Sequence, residues 1–303
     1  MTESAISQQW AAAIDELCSR ARRGELGGRP TAALDFDNSC IAGDVGETLH
    51  YHLCDTHGYD LDGEFWGAVD VADGRERLES AWRAYRSGAP LPQGYESDLI
   101  AVYARRYLRE GRRAVYGWAA TMHAGMAPAQ VAEAAVANLE IQKGRPMGRV
   151  PLVPTPDGLL LTRSQGIRSR PVVQRWVQQM DAAGIEVWVV SATNVWAVSE
   201  VARRELAIPT ARVIGNSCEV ERGRITHRAL APTIYKEGKL AAFREATGQT
   251  PVMSLGDTVS DRDLLRSASA LAILVDRGDL GLAAEAGERG WLVVDPATLD
   301  AAD

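Results

Sequence analysis

The sequence predicts an α/β fold, a doubly wound parallel sheet into which a helical domain is inserted. Three observations carry that expectation. Apolar runs of strand length recur as "AALDF", "IEVWVVSA", "ARVIGN", "PVMSLGD", "LAILVD" and "WLVV". In the second half most gaps between these runs carry helical periodicity, and strand alternating with helix implies parallel pairing. The runs are nearly continuous in apolar residues, which fits strands covered on both faces.

Taken in order, the segment from about Ser7 to Arg22 reads as an amphipathic helix, with Trp10, Ala13, Ile14, Leu17 and Cys18 along one side, packing outside the sheet. The first strand begins at Thr31 and runs straight into Asp35 and Asp37. From Glu47 to about Thr162 the pattern turns helical, in "RERLESAWRAYRSG", "YESDLIAVYARRYLREGRRAVYGWAATMHAG" and "APAQVAEAAVANLE". A helical domain over 47–162 is therefore expected, inserted in a core made of 1–46 and 163–303. The stretch "GRVPLVPTPDGLLLTRSQGIRSRP", dense in Pro and Gly, is the return path, and Pro171 lies near the first turn of the next core helix.

Composition narrows the partners. A chain of 303 residues with 46% hydrophobic content can bury a substantial core. Its 33 basic and 40 acidic residues give a net charge of −7, so a nucleic-acid partner would need a local basic patch. Arg20, Arg22 and Arg23 form one cluster, and Arg105, Arg106, Arg109, Arg112 and Arg113 form another. Both sit at helical spacing and read as solvated helix faces, so no nucleic-acid partner is expected. No run approaches the roughly 18 apolar residues of a membrane span, so no membrane partner is expected either. Cys18, Cys40, Cys54 and Cys218 lack metal-ligand spacing, and the start shows no basic-then-apolar export pattern, which makes a reducing cytoplasm the expected location. His50 and His52 flank Tyr51 on a helix and read as ordinary packed or surface histidines. Oligomeric state is not legible in these patterns.

Ligands of an open parallel sheet collect beyond the carboxyl ends of its strands. Three such ends finish in cooperating polar groups: Asp35 and Asp37, then Ser191 and Thr193 in "VVSATN", then Asp257 in "SLGDTVSDRD" with Asp261 four residues on. Strand alternation would send Asp35 and Asp37 to one side. Clustered carboxylates repel one another unless a cation or a proton holds them together. Hard oxygen ligands suit Mg2+. A divalent ion beside a phosphate would also let an aspartate attack it, while a second carboxylate protonates the leaving oxygen and later deprotonates water. Asn38 and Ser39 have turn-forming character, and their amides are expected to face an anion at the strand end. Asp263 reads as a helix cap.

"DFDNS", "VVSATN", the "GK" of Gly238 and Lys239, and "GDTVSD" from Gly256 to Asp261 resemble, in order, the four motifs of the haloacid dehalogenase-like hydrolases, in their phosphatase branch. The resemblance spans about Thr31 to Asp276. It implies a Rossmann-like core in which Asp35 is the nucleophile that becomes an aspartyl phosphate. Asp37 would be general acid and base and offer its main-chain carbonyl to the metal. Ser191 and the Ala192 amide, with Thr193, would bind the phosphoryl group; Asp257 would ligate Mg2+ together with Asp35, and Asp261 would support the ion from behind. Lys239 would neutralise nucleophile and phosphate, with Lys236 in "YKEGK" as its rival; the "GK" context at a helix start favours Lys239.

Dehalogenases of this superfamily lack the second acidic residue of the first motif, so Asp37 points to phosphoryl transfer to water. The helical insertion resembles a cap that closes over small phosphorylated metabolites. More narrowly, "DFDNSCIAGDVGETLHYHL" resembles the phosphoserine phosphatase-like branch and phosphorylcholine phosphatases, in which an acidic residue soon after the first motif meets the substrate's cationic group. Glu47 is the match, with Asp44 as second choice. Trp66, Trp82, Tyr85, Tyr116 and Trp118 supply rings for an aromatic box around a quaternary ammonium, although their helical spacing also suits core packing. A phosphoserine-type enzyme would instead use an arginine for the substrate carboxylate, from among Arg75, Arg77 and Arg83. The expected activity is a Mg2+-dependent phosphatase acting on a small phosphorylated metabolite whose leaving group bears a cationic nitrogen, with phosphocholine ahead of phosphoserine. A phosphomutase that keeps all four motifs is the alternative.

Overall fold

The apolar runs form one six-stranded parallel sheet in a computed structural model that describes residues 3–300. Numbered along the chain, its strands are β1 (Thr31–Leu34), β2 (Glu186–Asn194), β3 (Val213–Asn216), β4 (Met253–Gly256), β5 (Leu271–Val275) and β6 (Leu292–Val294), in the order β6-β5-β4-β1-β2-β3. The helices are α1 (Glu3–Arg22), α2 (Val45–Asp55), α3 (Arg75–Arg86), α4 (Tyr95–Glu110), α5 (Arg112–Ala119), α6 (Pro128–Lys143), α7 (Pro171–Ala182), α8 (Val195–Leu206), α9 (Glu237–Thr247), α10 (Arg262–Ser267), α11 (Leu280–Arg289) and α12 (Pro296–Leu299).

Alternation along the central strand explains the two covered faces. Ala32 and Leu34 join a core cluster with Trp10 and Ile14 of α1 and Trp176 of α7, whereas Ala33 joins a second cluster with Phe243 of α9 and Leu264 of α10. Both faces are buried, so the doubly wound expectation holds. Register then levels the strand ends: Leu34 pairs with Leu255 on one side and Val189 on the other. Asp35, Asp257 and Ser191 therefore leave the sheet within two residues of one level.

The reason expected for the meeting of Asp35 and Asp37 does not hold. β1 ends at Leu34, although the Asp35 amide still donates to the Leu255 carbonyl at 2.9 Å. Residues 36–40 then make a tight turn in which Asn38 adopts φ 62°, a left-handed conformation that asparagine tolerates better than most residues. The turn, not strand alternation, aims the two carboxylates. Beyond it Ile41–Ala42 pairs antiparallel with Arg168–Ser169.

Residues 45–165 contain α2 to α6, short turns and the hairpin Gly148–Pro151 with Thr162–Gln165, and contribute no strand to the main sheet. Asp44 caps α2, its side chain accepting from the Glu47 amide at 2.7 Å. α6 lies against α8, where Lys143 Nζ reaches Glu205 Oε1 at 2.6 Å. A second hairpin, Cys218–Glu221 with Arg224–Ala229, is absent from the expectation. Its two-residue turn has Arg222 at φ 51° and Gly223 at φ 77°, the positive pair that matches strand twist. This hairpin reaches the insertion, with Gly125 N donating to Ile225 O and Ile225 N to Met126 O, both at 2.9 Å.

The arginines of α4 are not simply solvated. Arg105 bonds Asp98 at 2.6 Å and Asp157 at 2.9 Å, Arg106 pairs with Asp70 at 3.2 Å, and Arg109 holds the buried Asp73. Their charge is matched by carboxylates within the insertion. All four cysteines are free and buried. Among the described residues no helix is long and apolar enough to cross a membrane.

Candidate active site

Three buried carboxylates meet beyond β1 and β4: oxygens of Asp35, Asp257 and Asp261 lie within 4.8 Å of one another. A buried lysine enters among them. Lys239 Nζ lies 2.5 Å from Asp35 Oδ1 and 2.6 Å from Asp261 Oδ1, with its side chain 1% exposed. Ser39 Oγ donates to the other Asp35 oxygen at 2.7 Å. Asp261 Oδ2 accepts from the amides of Thr258 at 3.1 Å and Asp257 at 3.3 Å. Two glycines permit this geometry. A Cβ on Gly256 would sit 2.4 Å from Asp261 Cβ, and one on Gly238 would fall 1.9 Å from the Thr233 carbonyl oxygen. The second clash is the physical content of the "GK" pair. Lys236, the rival, is exposed, with Nζ 5.4 Å from the Tyr235 ring centre.

Electrostatics leaves this cluster short of positive charge. Burial pushes the Asp35 carboxyl well above the usual range, the Asp261 charge adds to that, and Lys239 opposes it. Asp257 is pushed up to about 6 by burial and by Asp261, against the pull of Arg277. Burial alone would lower Lys239, but the Asp261 and Asp35 charges outweigh it and keep the ammonium protonated. Three buried carboxylates, two sharing Lys239 and the third paired with the half-exposed Arg277, form a donor set that a hard divalent cation fits.

Asp37 is held separately. Its Oδ1 accepts from the Val45 amide at 2.7 Å, and its Oδ2 accepts from Thr193 Oγ1 at 2.7 Å and Ser191 Oγ at 3.0 Å. Burial raises its affinity for a proton, and these donors hold the rise in check. Two expectations, for the Ser191 hydroxyl and the Asn38 amide, change here. Ser191 is fully buried and donates to Asp37, while accepting from the Thr193 amide at 3.0 Å, so its hydroxyl is not offered to a phosphoryl group. The Asn38 amide is committed to the Gly43 carbonyl at 2.9 Å, which leaves asparagine as a turn former. Ser39 acts through its hydroxyl on Asp35. Both carboxylate oxygens of Asp37 are taken by the donors named above, which leaves its main-chain carbonyl, the atom expected to face the ion, outside this set of bonds. Ala192 and Thr193 do line the site, and the Ala192 carbonyl accepts from Asn216 Nδ2 at 2.6 Å.

Above these groups lies a cavity of about 560 Å³. Asp35, Asp37, Lys239 and Asp257 line its sheet side, and Glu47, His50, Tyr59, Tyr103, Tyr116 and His123 line it from the insertion. Glu47, the residue expected to meet a cationic group, is there, accepting from the Tyr51 hydroxyl and lying 3.8 Å from Arg149. Asp44 also lines it, but burial and the charges of Asp37 and Glu47 push its carboxyl well above the usual range.

The aromatic expectation is corrected. Of the five rings only Tyr116 lines the cavity; Trp66, Trp82 and Trp118 are core residues, and Tyr85 packs on Trp82 near the surface with ring centres 5.3 Å apart. The tyrosines that do line the cavity are Tyr51, Tyr59, Tyr103, Tyr107 and Tyr116. Arg75, Arg77 and Arg83 are elsewhere too, paired with Glu79, Asp98 and Glu79. Arg112, Arg149 and Arg277 are the arginines of the cavity. Sequence reasoning missed Arg277, whose Nη1 donates to Asp257 Oδ2 at 2.8 Å. It stands two residues past β5, where the strand-end rule that found Asp257 would have found it. His50, read as an ordinary histidine, is buried in the cavity wall.

The family model for haloacid dehalogenase-like hydrolase matches residues 32–266. No curated protein sequence matches the chain. Among solved structures, a conserved functionally unknown protein from Anaerococcus prevotii DSM 20548 superposes with a TM-score of 0.78 at 18% identity, over 93% of this chain and 90% of that one. A protein of unknown function from Bordetella pertussis Tohama I gives 0.56 at 19% identity, over 89% and 100%. A phosphoserine phosphatase in a phospho-aspartyl analogue form gives 0.42 at 11% identity, over 82% and 87%, too remote to argue from. The first two likenesses establish the fold, and the family match covers most of the chain. The chain belongs to the haloacid dehalogenase-like hydrolase family.

Proposed function

We propose that the protein is a Mg2+-dependent phosphatase of small phosphomonoesters whose leaving group carries a cationic nitrogen. The observation that carries this reading is the state of Asp35: both oxygens are oriented, by Lys239 at 2.5 Å and Ser39 at 2.7 Å, at the floor of a cavity and beside two further buried carboxylates. Asp35, Asp257 and Asp261 would hold the ion, which when bound offsets the repulsion between carboxylate and phosphate. An oxygen of Asp35 attacks phosphorus; the bond from phosphorus to the leaving oxygen breaks, and Asp37 gives that oxygen its proton. Asp37 then takes a proton from water, which attacks phosphorus and breaks the acyl-phosphate bond, returning Asp35 and releasing phosphate. Ser191 and Thr193 orient Asp37 for both steps.

The leaving group faces Glu47 and five tyrosines, a carboxylate and a set of π-faces suited to a cation. Phosphorylated amino alcohols such as phosphocholine fit that lining. Phosphoserine is the second reading, supported by Arg149 beside Glu47 at 3.8 Å, a charge pair that an amino-acid zwitterion complements.

Asp35→Asn tests the mechanism: turnover should fall at least about 1,000-fold, and substantial residual hydrolysis by the purified variant would remove the aspartyl-phosphate route. kcat/KM across phosphocholine, phosphoethanolamine, phosphoserine and sugar phosphates tests the leaving group.

A further inference from the structure

The turn at 36–40 follows directly on the nucleophile, and one of its supports comes from behind. Ile41 pairs with Ser169 in the short antiparallel ribbon, which brings the next residue of the return path, Arg170, up to the turn. Pro171 opens α7 and holds Arg170 in an extended backbone conformation, φ −106° and ψ 99°, as the residue before a proline requires. From there the side chain runs inward. Its Nη1 donates to the Ser39 carbonyl at 3.0 Å, and its Nε lies 3.0 Å from Asp300 Oδ1 at the end of α12. Arg170 is 3% exposed and is not among the residues that line the cavity. A buried guanidinium is costly unless it is paired and hydrogen-bonded. Burial pulls this one below its ordinary value, and the charge of Asp300 opposes that. What the buried cation holds is the carbonyl of Ser39, the residue whose hydroxyl fixes Asp35 Oδ2 at 2.7 Å.

We infer that Arg170 is a positioning residue for the nucleophile: it fixes the Ser39 peptide, Ser39 fixes one oxygen of Asp35, and Lys239 fixes the other. This rests on the phosphatase reading and deepens it. Within the turn the Ile41 amide bonds the Phe36 carbonyl, and the Asn38 amide bonds Gly43; the Ser39 carbonyl is held from outside, by Arg170. A serine hydroxyl meets its acceptor from one staggered position, and that position moves with the backbone that carries it. Loss of the anchor therefore misaims the attacking carboxylate and leaves substrate contacts in place. A displacement of about 1 Å is enough to cost on the order of 100-fold in rate. The same contacts make α12 part of the site's support, because Leu299 seats that helix in the main core and Asp300 carries its charge to Arg170.

The test is a double-mutant cycle on kcat, run with the phosphomonoester the wild type uses best. Arg170→Met should lower kcat about tenfold or more and leave KM within about twofold, because Arg170 lies behind the site and touches no substrate. Ser39→Ala should do the same. The double variant should then be no more than about twofold slower than the slower single variant, since both act on one oxygen of Asp35. Arg170→Lys keeps the charge without the planar fork and should recover part of kcat. Asp300→Asn, at a partly exposed position, should cost about threefold or less. Fluorine NMR of the beryllofluoride adduct formed with Mg2+ reads the aim of Asp35 without turnover, and the adduct should weaken in Arg170→Met and Ser39→Ala alike. If Arg170→Met does not fold, Arg170→Lys completes the cycle with Ser39→Ala. Effects that multiply in the double variant, a change confined to KM, or an unchanged kcat in folded Arg170→Met overturns the role of Arg170, and an inactive Asp35→Asn then leaves the phosphatase reading standing. Turnover that survives Asp35→Asn removes that reading and this inference together.

Discussion

The cavity has two walls made by different physics. On the sheet side, Asp35 and Asp261 are buried charges that share Lys239 while Asp257 pairs with Arg277, and every oxygen of Asp35 and Asp37 has a named donor. On the insertion side the buried polar groups include neutral imidazoles and tyrosines, with Glu47 as a partly exposed carboxylate. The first wall can do chemistry on an anion because it is already poised to take a cation. The second can discriminate among leaving groups because its polar atoms are few and oriented. On the proposed function, chemistry and selectivity fall to separate stretches of chain, and each can be broken alone.

The sheet wall breaks hardest at Lys239. Lys239→Met leaves the buried Asp35 and Asp261 without their shared cation, a loss of about 3–5 kcal/mol in stability for a broken buried pair. Urea denaturation in EDTA should show it, and Mg2+ should restore more stability to this variant than to the wild type, because the ion then replaces the charge that Asp35 and Asp261 have lost. Lys236→Ala, only three residues away but exposed, should stay within about 0.5 kcal/mol. Equal effects of the two variants would mean that the charge balance around Asp35 does not rest on Lys239.

The walls should also answer pH with opposite sign. His50 and His123 are held down to about 4, below the ordinary histidine value of about 6.5, so the unfolded chain binds more protons between these limits. Stability contributed by the insertion is complete above about 6.5 and is lost as pH falls toward 4, by about 3 kcal/mol for each histidine. Asp257 is the reverse case. With its carboxyl raised to about 6, the metal-free native state binds the extra proton, and stability falls as pH rises from about 4 to 6. Because these slopes partly cancel in the whole protein, Asp257→Asn is the informative variant. Without metal it should keep the acid loss and lose Asp257's share of the opposing rise, leaving the shares of Asp35 and Asp44; an unchanged profile would place the titration elsewhere.

Legibility in the sequence divides along the same line. Asp35, Lys239, Asp257 and Asp261 were readable because each sits at a strand end or helix start, where register in a parallel sheet fixes position to within a residue or two. Gly238 and Gly256 were readable as motif letters, though the reason for them, a backbone oxygen and an aspartate Cβ within 2.4 Å of any added carbon, needed coordinates. Ser191 stood in a correct position with a different partner, because which of two nearby acceptors a hydroxyl chooses depends on the turn at 36–40. The insertion resisted reading. On a helix the same apolar period describes a ring in the core, such as Trp118, and a ring at the cavity, such as Tyr116, and only the packing of α2, α4 and α5 on one another separates them. The hairpin at 218–229 escaped notice for want of apolar content, with Val220 exposed and Arg224 and Arg228 at its surface.

Arg277 gives the finest test of where the walls divide. Its guanidinium lies 2.8 Å from Asp257 Oδ2, yet the side chain is 45% exposed, so solvent weakens the pair to about 1 kcal/mol. It occupies an oxygen that a divalent ion would want, and it adds positive charge where the ion would sit. Arg277→Gln should therefore tighten binding of Mg2+ alone, by about fivefold in calorimetry, since both the competition and the repulsion disappear. Weaker binding would show that the arginine orients Asp257 for the ion, and would extend the sheet wall's set of mutually held charges from β4 to β5.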